Sequence, residues 1–443
     1  MSKKIRDYLF IVFIVIFLVM TIVVSLYASG YKFNISWPLK LNRVLQKTGM
    51  LAVATNPSQA TIYLNDKAQK ESIIKFWKTD YRVTPTKIKN LLPGEYELRL
   101  EEAGYWSYKQ KIHIYSGETT FVEDVNLFRE NIPLLILAAP ENTLTLSPDN
   151  KYLYAAESKK IITLKTEISR DLKVADKTSG VWLKSDKVLA SGIIFDPIKA
   201  ENDQNFANFI GAGANNWLYD NNNGKLYFQN NNSINRFDEN SKTTTLLISG
   251  ATYIDYLPKQ NSLFTITSGQ NQVKLESYLL KNLQLDSNWI LPASGEYSFV
   301  KNIMSRLAIY DSRNRTLYLF DEADLNAGPI VIRDIKNWAM MNDNSLIYTN
   351  DFEIYIFNLT NSRVDLVTRR SEEINSIIWN NDGNYLIFSS PTTLNVLDFK
   401  NRNATLLFRA EKISSPALDG KNDNLYFWAQ VGQQTGIYKM LMQ

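Results

Sequence analysis

Tyr8 to Leu26 reads YLFIVFIVIFLVMTIVVSL, 19 residues without a charged side chain. A helix of that length spans about 28 Å, one hydrocarbon core, so the run predicts a single transmembrane helix that meets lipid through residues 8–28. Beyond Gly49 the pattern changes to short alternating segments: Leu51, Val53 and Thr55, then Thr61–Leu64, Tyr96–Leu100, Lys111–Tyr115 and Thr120–Val125. A period of two puts apolar side chains on one face of a strand. Turn residues separate these segments, among them Leu92-Pro93-Gly94-Glu95, where Pro presets φ and Gly accepts positive φ. They predict a small β-sandwich over residues 49–128, after a juxtamembrane linker at 31–48.

From about residue 140 one pattern repeats eight times: a turn rich in Asn, Asp or Gly, then a short apolar run. Examples are Pro148-Asp-Asn-Lys-Tyr-Leu-Tyr154, Asn222-Asn-Gly-Lys-Leu-Tyr-Phe228 and Asn342-Asp-Asn-Ser-Leu-Ile-Tyr348. Aligning Leu153, Leu189, Leu226, Leu263, Leu307, Leu346, Leu386 and Leu425 gives steps of 36, 37, 37, 44, 39, 40 and 39 residues. One four-stranded propeller blade occupies about 40–45. Such a unit buries its sheet faces only by stacking around a centre. The expected fold is all-β: a tail and transmembrane helix (1–30), the linker, the sandwich, and an eight-bladed β-propeller over 141–443. Seven blades are the alternative, because the unit near residues 195–215 is irregular. Residues 129–140 read as a linker or as a strand that closes the propeller.

Two resemblances join these patterns. Asn56-Pro57-Ser58-Gln59-Ala60, Thr84-Pro85, Leu92-Pro93-Gly94-Glu95-Tyr96 and Gly104-Tyr105 resemble the PEGA domain in order and register. The name-giving tetrapeptide is half kept, with Pro57 and Ala60 flanking Ser58 and Gln59. The resemblance implies a small exported β-sandwich found beside surface modules, with Pro57, Ala60, Thr84, Pro85, Pro93, Gly94, Gly104 and Tyr105 as its structural motif and no catalytic residue. Ser147-Pro148-Asp149-Asn150-Lys151-Tyr152-Leu153 and Trp379–Leu386 resemble the hairpin of WD-repeat-like propellers, including the exported, Tol-type kind.

Charge refines the picture. The formal net charge is +4, yet the first 48 residues hold seven Lys or Arg against Asp7, so the remainder is slightly acidic. No basic footprint for nucleic acid lies on a folded domain. Lys3, Lys4 and Arg6 precede the apolar run and Lys32, Lys40, Arg43 and Lys47 follow it, so the positive-inside count is nearly balanced. The charges set directly against the run favour a cytoplasmic N-terminus, with the bulk of the chain outside the cytoplasm. Ala28-Ser29-Gly30 offers a signal-cleavage site as the competing reading, although the apolar run exceeds the usual stretch of about 7–15 residues.

Candidate chemistry is sparse. With no cysteine and only His113, disulfides, thiolate metal sites and a Cys nucleophile are excluded, and any triad would have to be built around one histidine. His113 sits between Ile112 and Ile114 on an expected strand and reads as solvent-facing. Asp220–Gly224 and Asn380–Gly383 invite a calcium reading but lack the completing Glu, and read as turns. Asp149, Asp186, Asp196, Asp255, Asp311, Asp343 and Asp382 are the acids that could meet at a propeller axis as hydrolase carboxylates. The segment 196–216 interrupts the repeat and is expected to carry blade-specific function or to be an idle insertion. No catalytic residue, cofactor or metal is assigned. Phe76, Trp77 and Tyr81 on the long 65–84 connection, with Tyr105 and Trp106, are candidates for contacting a glycan or lipid headgroups, against the plainer reading that they pack on the sandwich. The expectation is a membrane-anchored binding or scaffold protein whose propeller meets a protein or cell-envelope glycan. The alternatives are an anchored glycan hydrolase and an envelope assembly or sensor component.

Overall fold

The computed structural model describes residues 3–33, 45–70, 80–174, 180–184, 186–210, 213–220, 224–239, 241–259, 261–269, 271–300, 303, 306–380, 385–399, 402–421 and 423–442. The chain forms two compact units that divide between Asn131 and Ile132.

In the first unit, helix α1 (Lys3–Ala28) contains the apolar run, and Ile5–Ala28 is long and apolar enough to cross a membrane. None of its hydrophobic side chains is buried against protein, so the helix is a candidate membrane anchor. A short hairpin, β1 (Tyr31–Phe33) with β2 (Leu45–Lys47), follows. Two sheets then face each other. One orders β6 (Thr86–Leu91), β3 (Gly49–Asn56) and β9 (Thr119–Asn126); the other orders β5 (Lys67–Ala68), β4 (Thr61–Leu64), β7 (Gly94–Glu101) and β8 (Tyr108–Ile114). Period-two alternation delivers Leu51, Val53, Ile62, Leu98, Leu100, Ile112, Ile114 and Val122 to one core.

Pro57, Ala60 and Thr84 converge on that core. Ala60 and Thr84 are fully buried. The Thr84 hydroxyl meets Thr55 Oγ1 at 2.5 Å and accepts from Ala60 N at 3.1 Å, while Thr55 Oγ1 donates to the Pro57 carbonyl at 2.6 Å. Nearby backbone bonds run from Thr84 N to Ala60 O and from Gln59 N to Thr84 O. The spaced motif is therefore a clasp that satisfies buried polar groups where two strand ends meet.

The second unit contains, among the described residues, eight antiparallel four-stranded sheets. Sheets 1 to 7 span 144–171, 181–205, 214–249, 252–291, 297–333, 337–369 and 376–409; sheet 8 joins 412–441 to the strand Leu134–Ala138. Each aligned leucine lies on the second strand of its sheet and is at most 2% exposed. Successive side chains on that strand serve different neighbours. In sheet 1, Leu153 packs with sheet 8 and Tyr154 with sheet 2; in sheet 6, Leu346 packs with sheet 5 and Ile347 with sheet 7. Both faces are buried, which is why these strands read as continuous apolar runs instead of alternating ones.

Shared apolar clusters join sheet 8 to 1, 1 to 2, 2 to 3, 3 to 4, 4 to 5, 5 to 6 and 6 to 7. Sheets 7 and 8 meet through Phe408 and Phe427, ring centroids 5.7 Å apart, and through Ile413 N donating to Pro391 O at 2.8 Å. The order is cyclic, and the unit is a β-propeller. Leu134–Ala138 closes it by pairing antiparallel with Gln434–Leu441. Gly436 makes this approach possible, because a Cβ there would lie 2.4 Å from Leu137 O. Trp428 Nε1 adds a bond to Ala139 O at 3.1 Å.

Candidate binding site

The antiparallel order fixes which loops share a face. Turns between second and third strands, and connections from each fourth strand to the next sheet, gather at one end of the propeller; the remaining turns gather at the other. The first end carries inter-sheet ion pairs. Arg315 meets Asp351 at 2.7 Å, Lys336 meets Asp351 at 3.5 Å and also pairs with Glu373, and Lys412 meets Glu141 at 2.5 Å.

Between sheets 6 and 7 this end opens into a cavity of about 140 Å³. Its floor comes from the turn joining Tyr385–Ser389 to Thr393–Asp398, its wall from the connection after Val364–Arg369. Ser390, Thr393 and Asn395 are 3%, 4% and 5% exposed. Asn395 Nδ2 donates to Thr393 Oγ1 at 2.9 Å, the two hydroxyls meet at 2.6 Å, and both reach Glu372 Oε2, Ser390 at 2.7 Å and Thr393 at 3.1 Å. The Ser390 hydrogen bond, with help from Thr393 and the nearby Arg409 and Arg370 charges, outweighs burial and holds Glu372 below the ordinary carboxylate range. The Arg370 guanidinium lies 5.3 Å from the centre of the Phe388 ring, and Arg409 stands opposite Thr393 in the strand register. A second cavity, of about 310 Å³, lies on the β4–β7–β8 sheet beside Asp66, Arg99, Lys109 and Lys111.

The residues singled out from sequence are described only in part. Phe76 and Trp77 lie outside the described residues, as do 381–383 and most of the Asp220–Gly224 turn. Tyr81 is 49% exposed. Tyr105 is half-buried against the sandwich core, with Arg129 5.7 Å from its ring centre, and Trp106 N donates to Phe128 O at 2.8 Å. His113 is exposed, its ring 4.5 Å from that of Tyr115.

Asp149, Asp186, Asp196, Asp255 and Asp311 are tied into turns and sheet junctions. Asp255 accepts from Tyr256 N at 2.8 Å and Asn216 Nδ2 at 3.3 Å, and its other oxygen accepts from Phe299 N at 2.8 Å, linking sheets 3, 4 and 5. Fully buried Asp311 accepts from Glu296 N at 2.9 Å and Asn314 Nδ2 at 2.7 Å. Asp196 accepts from Ile198 N and Lys199 N. Asp149 N donates to Asp186 Oδ1 at 3.1 Å. Burial raises both acids of that pair, but bonds from Lys151 and Ser147 bring Asp149 below the usual range, while the Asp149 charge adds to the rise at Asp186. Asp343 is exposed and Asp382 lies outside the described residues. Among the described residues no three His, Asp or Glu gather as a metal site.

The segment 196–216 supplies Gln204–Asn205, the fourth strand of sheet 2, after a turn of 3-10 helix at Ala200–Asn202. Part of the apparent interruption is thus blade.

The cavity between sheets 6 and 7 was missed from sequence. Its signal is Arg369-Arg370-Ser371-Glu372-Glu373, which reads as a solvated turn until the fold sets it over Ser390 and Thr393.

Residues 48–127 match the PEGA domain model. The chain has no match among curated proteins. Its structure is similar to the C-terminal WD40 domain of Sif2, at 12% identity and a TM-score of 0.48, covering 70% of this chain and 99% of that one. It is also similar to a chain of the mitotic checkpoint complex (11%, 0.41, 71% and 93%) and to oligogalacturonate lyase from Vibrio parahaemolyticus (11%, 0.41, 69% and 92%). The propeller assignment stands on the cyclic packing of its own sheets. The molecule thus combines a candidate membrane helix, a PEGA domain and a β-propeller on one chain.

Proposed function

We propose that this is a membrane-tethered binding or scaffold protein, not an enzyme, which holds its PEGA domain and propeller outside the cytoplasm and uses a propeller face to engage a protein partner. The observation that carries the reading is that one chain carries both an unburied apolar helix and a closed ring of four-stranded sheets with its loops sorted onto two faces. Loops held by a rigid scaffold are where recognition concentrates. The single helix supplies attachment, and the PEGA domain follows it in the chain ahead of the propeller. Of the acids considered for hydrolysis, Asp196, Asp255 and Asp311 instead accept backbone N–H groups at turns and sheet junctions.

Cell fractionation and topology reporters test this. The full chain is expected to remain in membranes through alkaline carbonate extraction, with the propeller reachable by protease only from outside the cytoplasm, and removal of residues 1–30 is expected to release it. A chain washed from membranes by carbonate would contradict the tether. Hydrolysis of envelope glycans by the purified full chain would overturn the non-enzymatic reading.

A further inference from the structure

We infer that the cavity between sheets 6 and 7 is an anchoring pocket for a carboxylate side chain of a protein partner, received between Arg370 and Arg409. The inference rests on the proposed binding role and names the chemistry of its site.

Charge decides the sign of the ligand. Glu373 is paired with Lys336, and Glu372 is held by the Ser390 and Thr393 hydroxyls. Neither Arg370 nor Arg409 forms an ion pair within 4 Å among the described residues. Among the described residues the lining therefore keeps two guanidinium groups outside any ion pair within 4 Å, facing one carboxylate, Glu372, that is already supplied with hydrogen bonds. Arginine presents planar paired donors that match a carboxylate. Beneath them the hydroxyls and Asn395 form a built polar floor, each more than nine-tenths buried.

Size decides the kind of ligand. A cavity of 140 Å³ is well below the roughly 300–1,000 Å³ of ordinary small-molecule sites, but it suits one anchoring side chain at a protein interface. The surroundings are apolar where a peptide would continue. Leu406, which lines the cavity, is 42% exposed, and Phe352, whose carbonyl accepts from Arg370 N at 2.7 Å, is 48% exposed. The fitting occupant is an acidic residue flanked by an aliphatic or aromatic one.

The test uses the full chain purified in detergent and an array of short peptides carrying Glu beside Phe or Leu, each with a Gln twin. Glutarate and a galacturonate trisaccharide serve as free competitors. The Glu peptides are expected to bind about tenfold better than their twins, roughly the weight of one charge-assisted hydrogen bond. Arg370→Gln and Arg409→Gln should each abolish that preference. Glu372→Gln should strengthen acidic binding, a gain that misfolding cannot produce. Equal binding of Glu and Gln twins, or a preference that survives both arginine changes, overturns the pocket while leaving protein binding elsewhere on the propeller standing. Arginine-dependent binding of the trisaccharide without the peptides assigns the carboxylate to a sugar and overturns the protein source. Loss of membrane retention or of partner binding by the full chain fails the broader reading separately.

Discussion

Glu353 shows how much one side chain on the outer part of sheet 6 is governed by its neighbours. The Tyr355 hydroxyl donates to its carboxylate at 2.5 Å, Arg369 Nε donates at 2.8 Å and Asn350 Nδ2 at 3.0 Å. These bonds, the tyrosine first, pull its pKa to about 2, and the same contact pushes Tyr355 up to about 12. A depressed carboxylate stabilises the fold above its unfolded pKa of about 4.3, and that contribution disappears as pH falls through about 2. Glu353→Gln is therefore expected to melt below the parent at neutral pH, with the gap closing between about pH 4.5 and 2. A gap that persists at pH 2 would mean that shape, not charge, is at work there. None of this was visible in Asp351-Phe-Glu353-Ile-Tyr355, because alternation puts Glu353 and Tyr355 on one face but cannot say that Arg369 joins them from the next strand.

At the scale of elements, the second strands were the most legible part of the chain. Their apolar runs and spacing are set by burial on both faces, so each leucine from Leu153 to Leu425 falls on the second strand of a described sheet. Fourth strands were the least legible. In sheet 2 that strand is only Gln204–Asn205, both exposed, and without buried side chains no hydrophobic pattern marks it. The same logic limits the candidate pocket, since Glu372 meets Ser390 and Thr393 only because the connection between sheets 6 and 7 folds back over a turn of sheet 7, and no local pattern marks that contact. The central strands also carry the stability. Leu386, fully buried between sheets 6 and 7, is expected to lose about 2–5 kcal/mol on Leu386→Ala, read as a lowered denaturation midpoint. Leu406→Ala, at an exposed outer position, should change stability by no more than about 0.5 kcal/mol. Equal effects would contradict the assigned burial.

For the whole molecule, the decisive feature is that its first propeller strand belongs to its last sheet. A ring closed in this way ties residues about three hundred apart and has no free sheet edge at the seam. In sequence, Asn131–Leu137 fits a closing strand, the end of the PEGA-like domain or a linker, because a short apolar run looks the same in each role. The choice depends on the partner it finds, here Gln434–Leu441, with Gly436 leaving room. The chain has no cysteine, so one engineered pair reports on closure without interference. Leu134 and Lys439 are direct antiparallel partners, and such pairs hold their Cα atoms about 4.5–5.5 Å apart, within disulfide reach. Oxidising the Leu134→Cys, Lys439→Cys double variant and reading its mass and gel mobility is the most direct test of the ring. Rapid, near-complete intramolecular disulfide formation, absent from either single variant, is predicted. A double variant that stays reduced, or links only between molecules, would contradict a propeller closed by its first strand.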